Sequence, residues 1–306
     1  MGTTLASFLG IFLNIILPAF LVIGAGVILG RWLQVDKRSI SRMAIYVLTP
    51  CLILSSVVES TISTLAFGKM ILFVAVSTVL LCALAYGVGK LLRWPSRTID
   101  GLVLCVAFSN AGNFGLSMIL LAFGQSGLEL ASVYFVASNL AGNTLAAFFA
   151  ARSKRGGWKA LLQVVKLPGL YAFILALLLR ALHLSLPAPL SSAVSLVGRG
   201  SVPVMLMLLG MQLAQTHLGG RYGQVAIGVV LRLVVGALLA IGLAPLMGLS
   251  GLARNVAIAE ASTPTAVTSA LMAIEFEGDA EYVTSVIFFS TLFSALTLTI
   301  VLWYLG

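Results

Sequence analysis

Charge is scarce in this chain: Asp, Glu, Lys and Arg together make up 9% of its 306 residues, against roughly a quarter in a soluble domain. That scarcity excludes an ordinary water-soluble fold. Cysteine is rarer still, with Cys51, Cys82 and Cys105 each inside an apolar stretch. An odd number so placed gives neither a disulfide framework nor a zinc-ligand spacing. The two histidines, His183 and His217, fall at the ends of apolar segments. There is no phosphate-binding loop, HExxH helix or nucleophile elbow. A nucleotide-driven pump or a membrane hydrolase therefore lacks its machinery, and the chain is expected to be neither an enzyme nor dependent on an organic cofactor.

What is abundant is apolar. Hydrophobic residues make up 60% and the mean hydropathy is +1.12, and apolar runs long enough to cross a bilayer as helices recur from end to end. The first, Phe8 to Gly30, is 23 residues long with no Lys or Arg before it, so it is expected to be a retained helix, not a signal peptide. Met1-Gly2 resembles the start of a myristoylation signal, but Ala6 stands where that signal needs Ser or Thr. A net charge of +9 is spread over short loops rather than gathered in a patch, which argues against nucleic acid as a partner and leaves membrane lipid.

Ten spans are expected, near 8–30, 39–58, 67–90, 100–123, 128–151, 167–183, 188–213, 222–247, 252–274 and 280–304. Basic residues alternate with them. The loop after the first carries Arg31, Lys37, Arg38 and Arg42, that after the third Lys90, Arg93 and Arg97, and that after the fifth Arg152, Lys154, Arg155, Lys159 and Lys166. These loops are assigned to the cytoplasm, with both termini on the outer face of a bacterial inner membrane. Glu275, Glu277, Asp279 and Glu281 fall on the cytoplasmic side as a solvated acidic loop, which counts little in this rule.

The chain also repeats itself. Leu17-Pro18 recurs as Leu167-Pro168, Pro50 as Pro203, and the polar centre at Asn113 as Pro264, at offsets of 150, 153 and 151. Three landmarks at nearly one offset suggest a first five-helix unit over 1–151, a basic linker over 152–166 and a second unit over 167–306. An odd number of spans per unit inverts the second copy, an architecture found chiefly in transporters.

Candidate chemistry lies where two spans read poorly as helix: Ser109-Asn110-Ala111-Gly112-Asn113-Phe114-Gly115 in the fourth and Glu260-Ala261-Ser262-Thr263-Pro264-Thr265 in the ninth. Broken helices expose amino-terminal amides that attract an anion and carboxyl-terminal carbonyls that can hold a cation. Asn110, Gly112, Asn113, Gly115, Ser262, Thr263, Pro264 and Thr265 are the candidate substrate contacts, with Thr49 beside Pro50 in the second span. The bland alternative is two kinks used only for packing.

Glu260 is costly inside an apolar span unless it is protonated, ion-bound or paired. It is therefore either a coupling site for Na+ or H+, with Asn110, Ser138 and Asn139 nearby, or the partner of Arg199 or Arg232. Those two arginines could instead meet a substrate carboxylate. Ser138, Asn139 and Asn143 form a polar stretch in the fifth span, and Gly26 and Gly30 fit a small-residue packing motif.

Leu48-Thr49-Pro50, the Ser109–Gly115 run, Glu260 through Pro264 and Ser290-Thr291-Leu292-Phe293-Ser294 together resemble the auxin efflux carrier family, within the superfamily of bile acid sodium symporters. The resemblance covers nearly the whole length. It implies a scaffold and a transport domain, crossed fourth and ninth helices around the substrate, elevator-like movement and a homodimer made by the scaffold. The long central loop of plant members is missing, and so is the proline beside their fourth-span asparagines. Glu260 stands where bile acid symporters have a sodium-binding glutamate. A small organic anion, with a dicarboxylate as first guess, is the substrate this resemblance implies. Sodium/proton exchange is the alternative within transport, and a channel or membrane receptor the alternative outside it.

Overall fold

The computed structural model describes residues 2–60, 62–152, 168–216, 218–275 and 278–306. The expected linker beyond Arg152, with Lys154, Arg155, Lys159 and Lys166, lies outside the described residues, as do Leu167, His217, Glu277 and the side chain of Asn143.

Eleven helices make up the described chain: α1 Leu5–Arg31, α2 Lys37–Val58, α3 Thr64–Leu91, α4 Ser96–Ala107, α5 Leu116–Arg152, α6 Pro168–Ala181, α7 Ala188–Ala214, α8 Tyr222–Leu246, α9 Gly251–Ala261, α10 Thr268–Glu275 and α11 Ala280–Leu305. Among the described residues seven helical stretches are long and apolar enough to cross a membrane by themselves, one of them being Ala111–Gly142, which leads into α5. The expected boundary between fourth and fifth spans falls inside it, at Gly124. There φ is +66°, a left-handed conformation open to glycine and unfavourable for other residues.

Side chains on the outer faces are apolar, as in Leu21, Val79 and Leu238, each more than 60% exposed. Lipid is the solvent that such a surface suits. Pro18 and Pro50 do not break their spans. Each comes just after a π-helical turn, Phe12–Ile16 in α1 and Ala44–Leu48 in α2, where the widened turn makes room for a ring that cannot donate a hydrogen bond. Helix starts are fixed in the loops: Asp36 accepts from the amides of Arg38 and Ser39, Ser63 from that of Ala66, and Asp279 from that of Tyr282.

The helices sort into two packed groups. In the first, α1 lies along α7, and α2 lies against α6 and the start of α7. Gly26 and Gly30, the expected packing motif, face Met207 and Met211 of α7, and a Cβ on Gly26 would stand 2.0 Å from the Met207 carbonyl oxygen. Gly210 returns the contact against the Ile23 carbonyl. The motif thus joins two helices of one chain through backbone contact. In the second group α3 packs on α4 and α5, α9 on α5 and α8, and α11 on α4 and α8.

Candidate functional site

Two interrupted helices meet inside the second group. Helix α4 stops at Ala107 and the chain runs extended through Phe108 and Ser109 to Asn110, before a π-helical turn, Ala111–Gly115, starts it winding again. Helix α9 stops at Ala261 and α10 begins at Thr268. The two gaps cross as a single antiparallel β-bridge between Ser109 and Thr265. The Asn110 amide donates to the Pro264 carbonyl at 2.8 Å, and the Ala266 amide to the Phe108 carbonyl at 2.9 Å. Pairing the gaps with each other satisfies backbone groups that hydrocarbon could not.

The carbonyls left bare at the ends of α4 and α9 are capped by side chains. Ser269 Oγ donates to Leu104 O at 3.0 Å and Thr265 Oγ1 to Cys105 O at 2.9 Å. Arg232, buried in a π-helical turn of α8 (Leu231–Val235), donates through Nη1 to Val106 O at 2.8 Å, through Nε to Thr263 O at 2.9 Å, and through Nη2 to Ala261 O. Ser262 Oγ turns back to Ile258 O, and Thr263 Oγ1 to Glu260 O. The ninth-span residues expected at the substrate are therefore engaged with backbone.

That arrangement bears on the pairing with Arg199 or Arg232 that was one of the two alternatives for Glu260. Arg232 spends its donors on carbonyls, and Arg199 is exposed at the end of the first half of α7. Glu260 is fully buried with neither carboxylate oxygen hydrogen-bonded. Gly115 lies hard against it: a Cβ there would stand 2.1 Å from Oε2. The reason is one of reach and demand, because the carbonyls of two helix ends converge on Arg232 and supply the partial negative charge that a carboxylate would otherwise have provided.

A cavity of about 310 Å³ opens beside the crossing, between the two helix groups. From the first group it is lined by Thr49 of α2 and by Met205 and Gln212 of α7. From the second come Ser109 to Asn113 of the gap, Ser138 and Asn139 of α5, and Thr268 of α10. Of the expected site residues, Thr49, Asn110, Gly112, Asn113, Ser138 and Asn139 line it, whereas Gly115, Glu260, Ser262, Thr263, Pro264 and Thr265 do not. Among the described residues, three buried polar atoms on its lining find no hydrogen-bond partner: Thr49 Oγ1, Asn110 Nδ2 and Gln212 Oε1. Asn139 is anchored, donating to Phe135 O at 2.9 Å.

Sequence reasoning missed Gln212 and Thr268, although a glutamine in an apolar span was a visible signal, and it named Ser109 only as part of the fourth-span run. It missed Glu129 as well, buried in α5 with Oε2 unpartnered.

A profile for a family described as membrane transport protein matches residues 11–302. The chain belongs to that family. The resemblance to auxin efflux carriers is borne out by this match over most of the chain. Among curated relatives, an uncharacterized transporter of Methanothermobacter thermautotrophicus is 27% identical over 273 residues, covering 89% of this chain and 90% of its own length. Another, from Methanocaldococcus jannaschii, is 26% identical over 287 residues, covering 91% of this chain and 92% of its own. This family member is thus a multi-pass membrane transport protein.

Proposed function

We propose that this family member is a secondary active transporter of a small organic anion, bound in the cavity beside the crossed helices. The observation that carries the reading is the set of unpartnered atoms on Thr49, Asn110 and Gln212, buried around a cavity at the start of the helix that begins with Ala111. A native interior rarely leaves three polar atoms of one cavity unpaired unless a ligand or water completes them. The opening amides of that helix add a partial positive charge of about one half, suited to a carboxylate.

Among the described residues, no Lys, Arg or His lines the cavity. One helix terminus balances one carboxylate more readily than two, so we place a single carboxylate at the crossing. The dicarboxylate first expected would have to direct its second group toward the basic end, where Arg38 and Arg42 flank the lining residue Ser41.

The remaining parts of the proposal follow from the packing. The cavity divides α1, α2, α6 and α7, taken as scaffold, from the other helices, which is the division an elevator movement needs. Its lining includes Ser41, Pro168 and Gln212, near the ends of helices that border the basic loops, so the conformation is taken as open to the cytoplasm. The scaffold would supply a homodimer contact. Two inverted five-helix units, ten crossings with α4 and α9–α10 counted as broken spans, outward termini and the bacterial inner membrane complete the proposal. Glu260, buried without a partner, is the proposed coupling group and takes H+ or Na+. A second reading, sodium/proton exchange, is favoured by one observation, the second buried acid Glu129.

The test is a thermal-shift screen of purified protein against mono- and dicarboxylates, in sodium and in choline salts. A ligand at a hundred times its Kd adds about 2.7 kcal/mol to the folded state. A carboxylate should raise the melting temperature of the native chain and not that of Asn110→Ala. A shift that survives in Asn110→Ala would remove the cavity from the proposal.

A further inference from the structure

The carbonyls of Val106, Ala261 and Thr263 converge where α4 and α9 end, and the point on which they converge is filled by a side chain. Arg232 comes from α8, a third helix, and reaches both halves of the crossing: Val106 at the end of α4, and Ala261 and Thr263 at the end of α9. It is 1% exposed, and no acidic side chain is hydrogen-bonded to it among the described residues. Its charge is met by carbonyl dipoles alone. Two helix carboxyl termini pointing at one buried spot carry partial negative charge of about one half each, which is the field that draws a cation. A guanidinium suits it better than an ammonium because its flat fork sends donors in several fixed directions.

We infer that Arg232 is a resident cation: it occupies the place at the crossing where a dissolved cation would otherwise bind, and locks the two gaps into one rigid unit. The neighbouring carbonyls are taken as well. Leu104 is bonded by Ser269, Cys105 by Thr265, and Phe108 by the Ala266 amide. Arg232 thereby acts on the cavity as a positioning residue. The Val106 carbonyl it holds lies four residues before Asn110, whose own amide is bonded to Pro264. That consequence rests on the proposed role of Asn110, whereas the resident cation does not depend on any ligand. It also leaves Glu260, among the described residues, as a buried acid beside the crossing with no hydrogen-bond partner.

The experiment uses the full chain in detergent with Glu260→Gln as parent, so that cation effects at that carboxylate are absent. The melting temperature of this parent should be the same in sodium and choline chloride. Adding Arg232→Ala should lower it by about 10 °C, since several carbonyls lose their donors at once. Millimolar methylguanidinium should then restore much of the loss, and urea at the same concentration none. Where the alanine variant does not accumulate, Arg232→Lys replaces it: a lysine keeps the charge but not the fork, so it should melt below the parent and gain nothing from methylguanidinium. A variant as stable as its parent, or a loss that methylguanidinium leaves unmoved, would overturn the resident cation and reduce Arg232 to a space-filling residue. Because no carboxylate enters this assay, its failure is distinct from failure of the proposed cavity, which the Asn110→Ala screen reads separately.

Discussion

The two gaps cross at one point, yet they are built to opposite rules. The ninth-span gap, Ser262 to Val267, places its hydroxyls on backbone: Ser262 and Thr263 turn back into α9, and Thr265 reaches α4. The fourth-span gap leaves Asn110 Nδ2 unpaired and sets Asn113 on the cavity wall. One gap is consumed in holding the crossing and the other is left open beside it. Equal polarity in sequence thus need not mean equal function, because in a low-dielectric interior polar side chains are claimed first by unsatisfied backbone.

The comparison can be broken most forcefully at the bonded gap. Removing two caps of α4 together, in Thr265→Val with Ser269→Ala, should lower stability by about 2–4 kcal/mol, since two buried carbonyls lose their donors. Chemical unfolding in mixed micelles would measure it, and an unchanged midpoint would mean the hydroxyls are idle. Gly115→Ala tests the seam between the gaps. The added methyl has no room beside Glu260, and overpacking should cost about 1–3 kcal/mol. The same variant with Glu260→Ala should recover most of that loss, which a double-mutant cycle would show.

A smaller effect is expected away from the crossing, at the Asp279 carboxylate that caps α11. Burial pushes its pKa up, but bonds from Arg221 at 2.6 and 2.7 Å, from Thr98, and from the Tyr282 amide outweigh that, and the group is held below its ordinary value of 3.8. A depressed carboxylate contributes stability that is present above its unfolded pKa and fades as pH falls through the folded one. The native chain should therefore lose melting temperature below about pH 4, and Asp279→Asn, already lower at neutral pH, should lose less there.

Much of this was legible before the fold was known. Most of the long apolar helices, the gaps at Asn110 to Gly115 and Ser262 to Thr265, and the isolation of Glu260 in an apolar run follow from hydropathy and from Gly and Pro placement. What could not be read was which polar side chain backbone would claim. Arg232 looks like a partner for Glu260 in sequence because both are charges in apolar spans, but the ends of two helices reach the guanidinium first. Gln212 was passed over because it stands alone near the end of its span, and only the packing of α7 against the gap brings it to the cavity. The boundary expected between the fourth and fifth spans is made at Gly124, where one left-handed residue turns the chain without a loop.

The most direct measurement compares two isosteric changes, Thr49→Val on the cavity wall and Thr265→Val in the bonded gap, each assayed for melting temperature alone and with the carboxylate that stabilises the native chain. Thr49 Oγ1 has no partner, so its loss should leave the unliganded melting temperature within about 2 °C of native while weakening the carboxylate about tenfold. Thr265→Val should do the reverse, lowering the unliganded melting temperature by several degrees (about 1–2 kcal/mol) while the carboxylate still adds its full shift. The opposite assignment, with Thr49→Val unfolding the protein and Thr265→Val abolishing the ligand shift, would contradict the division between a bonded gap and an open one.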